Sequence, residues 1–185
     1  MKMRSLPALI FYAVAACIGC KSGGGQPSTA PGTSLGSLTV TSSSFASNGA
    51  IPVDYTCDGA DKSPQLTFSA PPAGTQSFAI VADDPDAPTG TFTHWIAYNL
   101  PGGVRALAEG ADPAALGGGV ALNDFSRPGY AGPCPPKREL HHFHFRVFAL
   151  NASIDVPTNA TRDVVDAAMS HHVLAEGILV GVFSH

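Results

Sequence analysis

Residues 77–95 read SFAIVADDPDAPTGTFTHW, and the fold turns on how this stretch is read. Ser77–Asp84 opens with an apolar run too short for a buried helix and rich enough to lie centrally in a sheet. It ends abruptly in Asp83, Asp84 and Asp86, with Pro85 and Pro88 stiffening the turn and removing backbone donors. His94 then opens the next strand, so a hairpin returns it beside the acids. On spacing alone this is a rigid turn with solvated carboxylates. The alternative is the rim of a site in which carboxylates orient an imidazole and raise its pKa, for anion binding or acid–base chemistry.

The flanking sequence supports a sheet. Leu38–Ser42 (LTVTS), Gln65–Ala70 (QLTFSA), His94–Pro101 (HWIAYNLP), His141–Leu150 (HHFHFRVFAL) and Gly177–Ser184 (GILVGVFS) all carry strand patterns. One helix is expected within 158–177, capped by Thr158 or Thr161. Its apolar stripe is Val164, Val165, Ala168 and Met169, and Gly177 ends it. Residues 102–140 are Gly/Pro-rich and irregular, and a loop that long in a compact domain is usually functional. The expected fold class is mainly β, a sandwich or large sheet with a helix near the C-terminus.

The composition fits this. The 185 residues suit one domain plus a leader, 44% are apolar, and only 13% are charged. Twenty glycines and sixteen prolines favour turns and short elements. The formal charge of −4 gives no basic footprint for nucleic acid.

The N-terminus reads as a targeting segment, with MKMR supplying positive charge and LPALIFYAVAA an apolar stretch too short for a comfortable membrane span. VAAC and CIGC both resemble the lipobox of bacterial lipoproteins. Val14 suits Cys17, whereas the Gly/Ser tether that follows favours Cys20 as the acylated residue. An ordinary cleaved signal is the alternative. Neither cysteine precedes an aspartate, which favours the outer membrane. The expected organisation is a signal peptide at 1–19, a flexible tether at 20–37 and a domain at 38–185. Export to an oxidising compartment makes the two remaining cysteines, Cys57 and Cys134, an expected disulfide.

On the long strand, period 2 places His141, Phe143, Phe145, Val147 and Ala149 on the more apolar face, with His141 at its mouth. His142, His144 and Arg146 fall on the other. Two histidines on one strand make at most two metal ligands, so zinc is not expected. No G-x-S-x-G is present, which weighs against a serine hydrolase.

Three segments, DDPDAPTGTFTHWIAYNLP (83–101), GYAGPCPPKRELHHFHFRVFAL (129–150) and the opening FASNGAIPVDYTCDGADKSPQLTFSAPPAGTQSFAIVADD (45–84), together resemble the phosphatidylethanolamine-binding proteins, in particular their bacterial Raf-kinase-inhibitor-like branch. The resemblance runs from about Leu38 to the C-terminus. It implies a large central antiparallel sheet packed as a β-sandwich, with an anion-accepting pocket at one end. The implied ligand-binding residues are Asp84, Asp86, Pro88, His94 and His141, with Gly132 and Pro133 forming a wall. Phe143 stands where the family usually has a tyrosine, which removes one hydroxyl from the pocket. No catalytic residue, metal or cofactor is implied. The implied ligands are small anions or phospholipid head groups, bound by a lipid-anchored envelope protein. The alternatives are an interaction module that inhibits a partner protease or kinase and, less favoured, a hydrolase. On this reading the acids orient His94, and protonated His94 and His141 bind anions more tightly below about pH 6.5.

Overall fold

The computed structural model describes residues 35–185. The leader, both candidate lipidation cysteines and the tether up to residue 34 lie outside the described residues. In chain order the strands are β1 (Gly36–Ser37), β2 (Val40–Thr41), β3 (Gly49–Ala50), β4 (Leu66–Phe68), β5 (Ser77–Asp84), β6 (Phe92–Pro101), β7 (Ala106–Leu107), β8 (Gly119–Val120), β9 (His141–Leu150) and β10 (Val173–Phe183). Among the described residues one α-helix, α1, spans Arg162–Met169.

The fold is mainly β, as the sequence implies. The large sheet runs β1-β10-β9-β5-β6-β8, with β3 also on β10, and a small sheet runs β2-β4-β7. From β10 to β8 every pairing is antiparallel, but β1 and β3 join β10 in parallel, so the sheet is mixed at one edge. Gly36 and Ser37, read from sequence as tether, already pair with Ala175 and Glu176.

Two apolar layers hold the large sheet. Leu66 and Phe68 of the small sheet pack with Phe78, Ile80, Trp95, Phe143, Phe145 and Val147 on one face. On the other, Ala79, Val81, Ile96 and Leu150 meet Val165 and Met169 of α1. β5 lies between both layers and is buried at all eight residues, which is why it reads as a continuous apolar run and not as an alternation. β9 alternates because its second face is only partly covered.

The helix is shorter than its sequence pattern suggests. It ends at Met169, and Val173–Gly177 belong to β10, paired with β9 along its whole length. Val164 points to solvent, while Val165 and Met169 carry the packing. Thr161 takes the capping position, without a side-chain bond to the backbone. Gly177 is a strand glycine: a Cβ there would collide with the backbone of Leu38, which crosses at that point.

Candidate functional site

Three neighbouring strands, β9, β5 and β6, bring His141, Asp84 and His94 to one end of the large sheet. Asp84 is the last residue of β5, and the strand's two-residue period points it to the face opposite Asp83. His94 sits in a β-bulge: Ala82 pairs with Trp95 and Asp83 with Thr93, so His94 is the extra residue on β6. The bulge lets His94 reach the same side as Trp95, which strict alternation forbids. All three side chains are about 95% or more buried, yet each lines a cavity of about 260 Å³.

His94 is held by backbone and not by acids. Its Nδ1 lies 2.8 Å from the Ala131 carbonyl and 3.0 Å from that of Gly132. Carbonyl oxygens only accept, so Nδ1 carries the proton and donates. Nε2 has no protein partner among the described residues and opens onto the cavity as an acceptor. Burial pushes the His94 pKa below the usual imidazole value; the two carbonyls and the nearby carboxylates oppose this without overcoming it. The expectation that the acids orient and protonate His94 is therefore corrected.

The acid serves His141 instead. Its Nδ1 lies 2.7 Å from Asp84 Oδ2, and Nε2 lies 3.3 Å from Glu139 Oε2. Burial alone would disfavour the imidazolium, but the bonds to Asp84 and Glu139 outweigh it and raise the His141 pKa. The two histidines are thus pushed in opposite directions inside one cavity. Opposed shifts within one cavity make it a candidate functional site.

The walls are mostly apolar: Ala87, Pro88, Phe92, Phe125, Pro135 and Pro136, with Cys134 and Thr89 completing them. Phe92 and Phe125 each set an edge against the His94 ring, with centroids 5.3 and 5.6 Å away. Cys134 is disulfide-bonded to Cys57, as expected, and the Cys57 amide also donates to the Pro133 carbonyl at 3.1 Å.

The remaining predicted residues divide. Pro88 lines the cavity. Gly132 and Pro133 are buried behind the wall that Cys134, Pro135 and Pro136 present. A Cβ on Gly132 would meet the Tyr55 carbonyl at 2.5 Å, and its amide donates to Asp61 at 2.6 Å. Asp86 does not line the cavity: one of its oxygens accepts from the His142 amide at 2.8 Å and contacts the His142 ring at 2.7 Å. Those bonds hold its carboxyl below the usual range. Phe143 is a core residue behind His94, its ring edge-on at 5.3 Å. Asp83 projects from the opposite face, where Arg162 donates to it and Arg146 lies 3.5 Å away.

Sequence reasoning missed three residues. Asn123 is buried; its Nδ2 donates to the carbonyls of His94 and Gly129, and its Oδ1 accepts from the amides of Phe125 and Arg127. It folds the loop that carries Phe125, and nothing but its place inside the Gly/Pro-rich stretch 102–140 signalled it. Asp61 links the opening loop to Gly132. Glu139, two positions before a histidine, is the third. Among the described residues, Cys57, Asp58 and His185 place potential metal ligands within 4.8 Å of one another. The Cys57 sulfur is spent in the disulfide, and Asp58 and His185 bond to each other.

The phosphatidylethanolamine-binding protein profile matches residues 41–184. A UPF0098 protein of Aquifex aeolicus is 43% identical over 150 residues, covering 79% of this chain and 88% of the relative. A Mycobacterium tuberculosis protein named as the lipoprotein LppC is 36% identical, over 92% of this chain and 90% of its own. Among solved structures, Chlamydia trachomatis CT736, described as a phosphatidylethanolamine-binding protein homologue, superposes with a TM-score of 0.75 at 33% identity, covering 80% of this chain and 98% of that one. Escherichia coli YbcL, described as a member of the mammalian family, matches with the same score and coverage at 32% identity.

Proposed function

Because the chain belongs to the phosphatidylethanolamine-binding protein family, we propose that the cavity at the end of β5, β6 and β9 receives the anionic group of a phosphate- or carboxylate-bearing ligand, such as a phospholipid head group. The observation that carries this reading is the 2.7 Å contact between buried His141 and Asp84 in the cavity wall. Asp84 sustains an imidazolium there, and the ring's second nitrogen can then donate to an anion, a charge-assisted bond stronger than a neutral one. Neutral His94 contributes the complement, an acceptor for a ligand hydroxyl or ammonium proton. Donor and acceptor side by side suit a hydrogen phosphate or a zwitterionic head group. Apolar walls frame both contacts.

The role proposed is binding, in keeping with the family to which the chain belongs. The similarity to a named lipoprotein across 92% of this chain supports a lipid-anchored protein of the cell envelope, with Cys20, or else Cys17, acylated. The second reading, an inhibitory protein-interaction module, draws on exposed Leu140 and Phe125, which flank His141 and the cavity.

The test is an NMR titration of the full chain in detergent with inorganic phosphate and with phosphoethanolamine. Shifts centred on His94 and His141 are expected, and their loss in His141→Gln. Unmoved histidine resonances at saturating ligand would reject the anion pocket and favour the interaction surface.

A further inference from the structure

The outward nitrogen of His141 is already occupied. Glu139 Oε2 sits 3.3 Å from Nε2, the nitrogen that an incoming anion would need. The imidazole is thus bracketed by two carboxylates. Asp84 is buried and fixed, while Glu139 is more than half exposed.

The placement of Glu139 is built by its turn. Cys134 is tied to Cys57 by the disulfide. The Glu139 amide donates to the Pro136 carbonyl at 3.1 Å, closing the turn over Lys137 and Arg138. Arg138 adopts a left-handed φ of 69°, unusual for a side chain of its kind, and its amide donates to the His185 carbonyl at 2.9 Å. His185 in turn bonds Asp58, beside Cys57. The turn is therefore anchored at its start and in its middle, and it sets Glu139, its side chain more than half exposed, against His141 Nε2.

We infer that Glu139 is an internal competitor for the anion position, a carboxylate gate that occupies His141 Nε2 until a ligand displaces it. The inference rests on the anion-pocket reading above and assigns that pocket a selectivity. A simple anion must break the Glu139 contact and then tolerate the freed carboxylate beside it. A ligand whose anionic group is followed by a cationic one meets the swung-out Glu139 as a partner. Glu139 therefore turns the pocket against bare anions. Its leverage is modest because the contact is solvent-exposed and screened by salt.

The experiment compares inorganic phosphate binding to the full chain in detergent for wild type, Glu139→Gln and Asp155→Asn, by calorimetry and by the His141 ring resonances. Asp155 is an exposed acid next to Ile154, which bonds Asn99 five residues along β6 from His94, about 17 Å away, so it controls for net charge. Glu139→Gln keeps the shape of the side chain and its exposure, so folding is not at risk. The expected result is phosphate binding about 5-fold tighter in Glu139→Gln, weaker in effect at high salt, and unchanged in Asp155→Asn. Equal affinity in wild type and Glu139→Gln, with His141 shifting in both, would overturn the gate and leave the pocket standing. Equal tightening in both variants would overturn it as a bulk charge effect. No phosphate-dependent shift in any of the three proteins would overturn the gate together with the pocket.

Discussion

Asp84 bonds His141, 57 residues away in sequence, at 2.7 Å, and leaves His94, only ten residues away, to backbone carbonyls. The hairpin that returns His94 beside the acids exists, but His94 Nδ1 is taken by the Ala131 and Gly132 carbonyls, and the Asp84 carboxylate meets His141 on β9, the other neighbour of β5. Carboxylates therefore raise the pKa of one histidine against its burial, while burial lowers that of the other.

The first prediction is for Asp84→Asn. The raised His141 pKa means the folded state holds its proton more tightly than the unfolded chain does. This stabilisation is fully present below about pH 6.5 and fades as pH rises through the folded-state value. Replacing Asp84 should cost about 1–3 kcal/mol at pH 6 and less at high pH. Urea midpoints across pH 5.5–9, together with a His141 NMR titration, check it. A cost that does not change with pH would show that Asp84 acts by packing alone.

His94 carries the opposite sign. Its pKa is lowered, so the unfolded chain takes up a proton first as pH falls below about 6.5, and stability declines there. His144 is lowered too, by burial first and then by Arg146, and adds to the same decline. The variant His94→Gln should therefore flatten, but not abolish, the loss of stability between pH 6.5 and 5. Thermal midpoints over this range test it. A slope as steep as wild type would place the acid sensitivity elsewhere.

How much of this was legible in the sequence depends on the range of the interaction. β5 and β9 were readable to the residue, because a doubly buried strand and an alternating one leave opposite patterns of apolar side chains. The segment Val173–Gly177 was misread as helix because HHVLAEG has weak periodicity, and β-pairing with β9 overrode it. At the site, the aspartates of the turn and His94 stood out as residue types, whereas His141 and Pro88 as site residues came from the family resemblance. The choice of partner did not stand out: both histidine strands flank β5, and His94 Nδ1 is taken by the carbonyls of a distant loop, which leaves Asp84 to His141. Asn123 and Asp61 work through backbone groups, which no side-chain pattern reveals. The bulge that aims His94 is a register shift between two strands and is silent in either strand alone.

The disulfide should matter to both fold and site. It joins residues 77 apart, and removing such a bond typically costs about 2–5 kcal/mol. Cys134 follows closely on Ala131 and Gly132, whose carbonyls fix the His94 tautomer. Cys57→Ser with Cys134→Ser should lower the denaturant midpoint and also broaden the His94 ring resonances. A lower midpoint with an unchanged His94 signal would show that the loop holds its shape through Asp61 and Asn123 alone.

Asp83 is the contrasting neighbour of Asp84. It is buried on the α1 side of the sheet, where Arg162 donates to it and Arg146 approaches to 3.5 Å. Removing its charge leaves two guanidiniums with fewer partners, although Asp166 still holds Arg162 and Glu176 still holds Arg146. Both arginines are about a quarter exposed, so the cost falls below that of a fully buried pair. Asp83→Asn should cost about 2–4 kcal/mol and leave phosphate binding unchanged, whereas Asp84→Asn should weaken binding as well as stability. Chemical denaturation and phosphate titration on the two variants make the comparison. If Asp83→Asn weakened binding as strongly as Asp84→Asn, the two faces of β5 would be coupled through the strand, and the cavity could not be treated as a site separate from the ion-pair network beneath it.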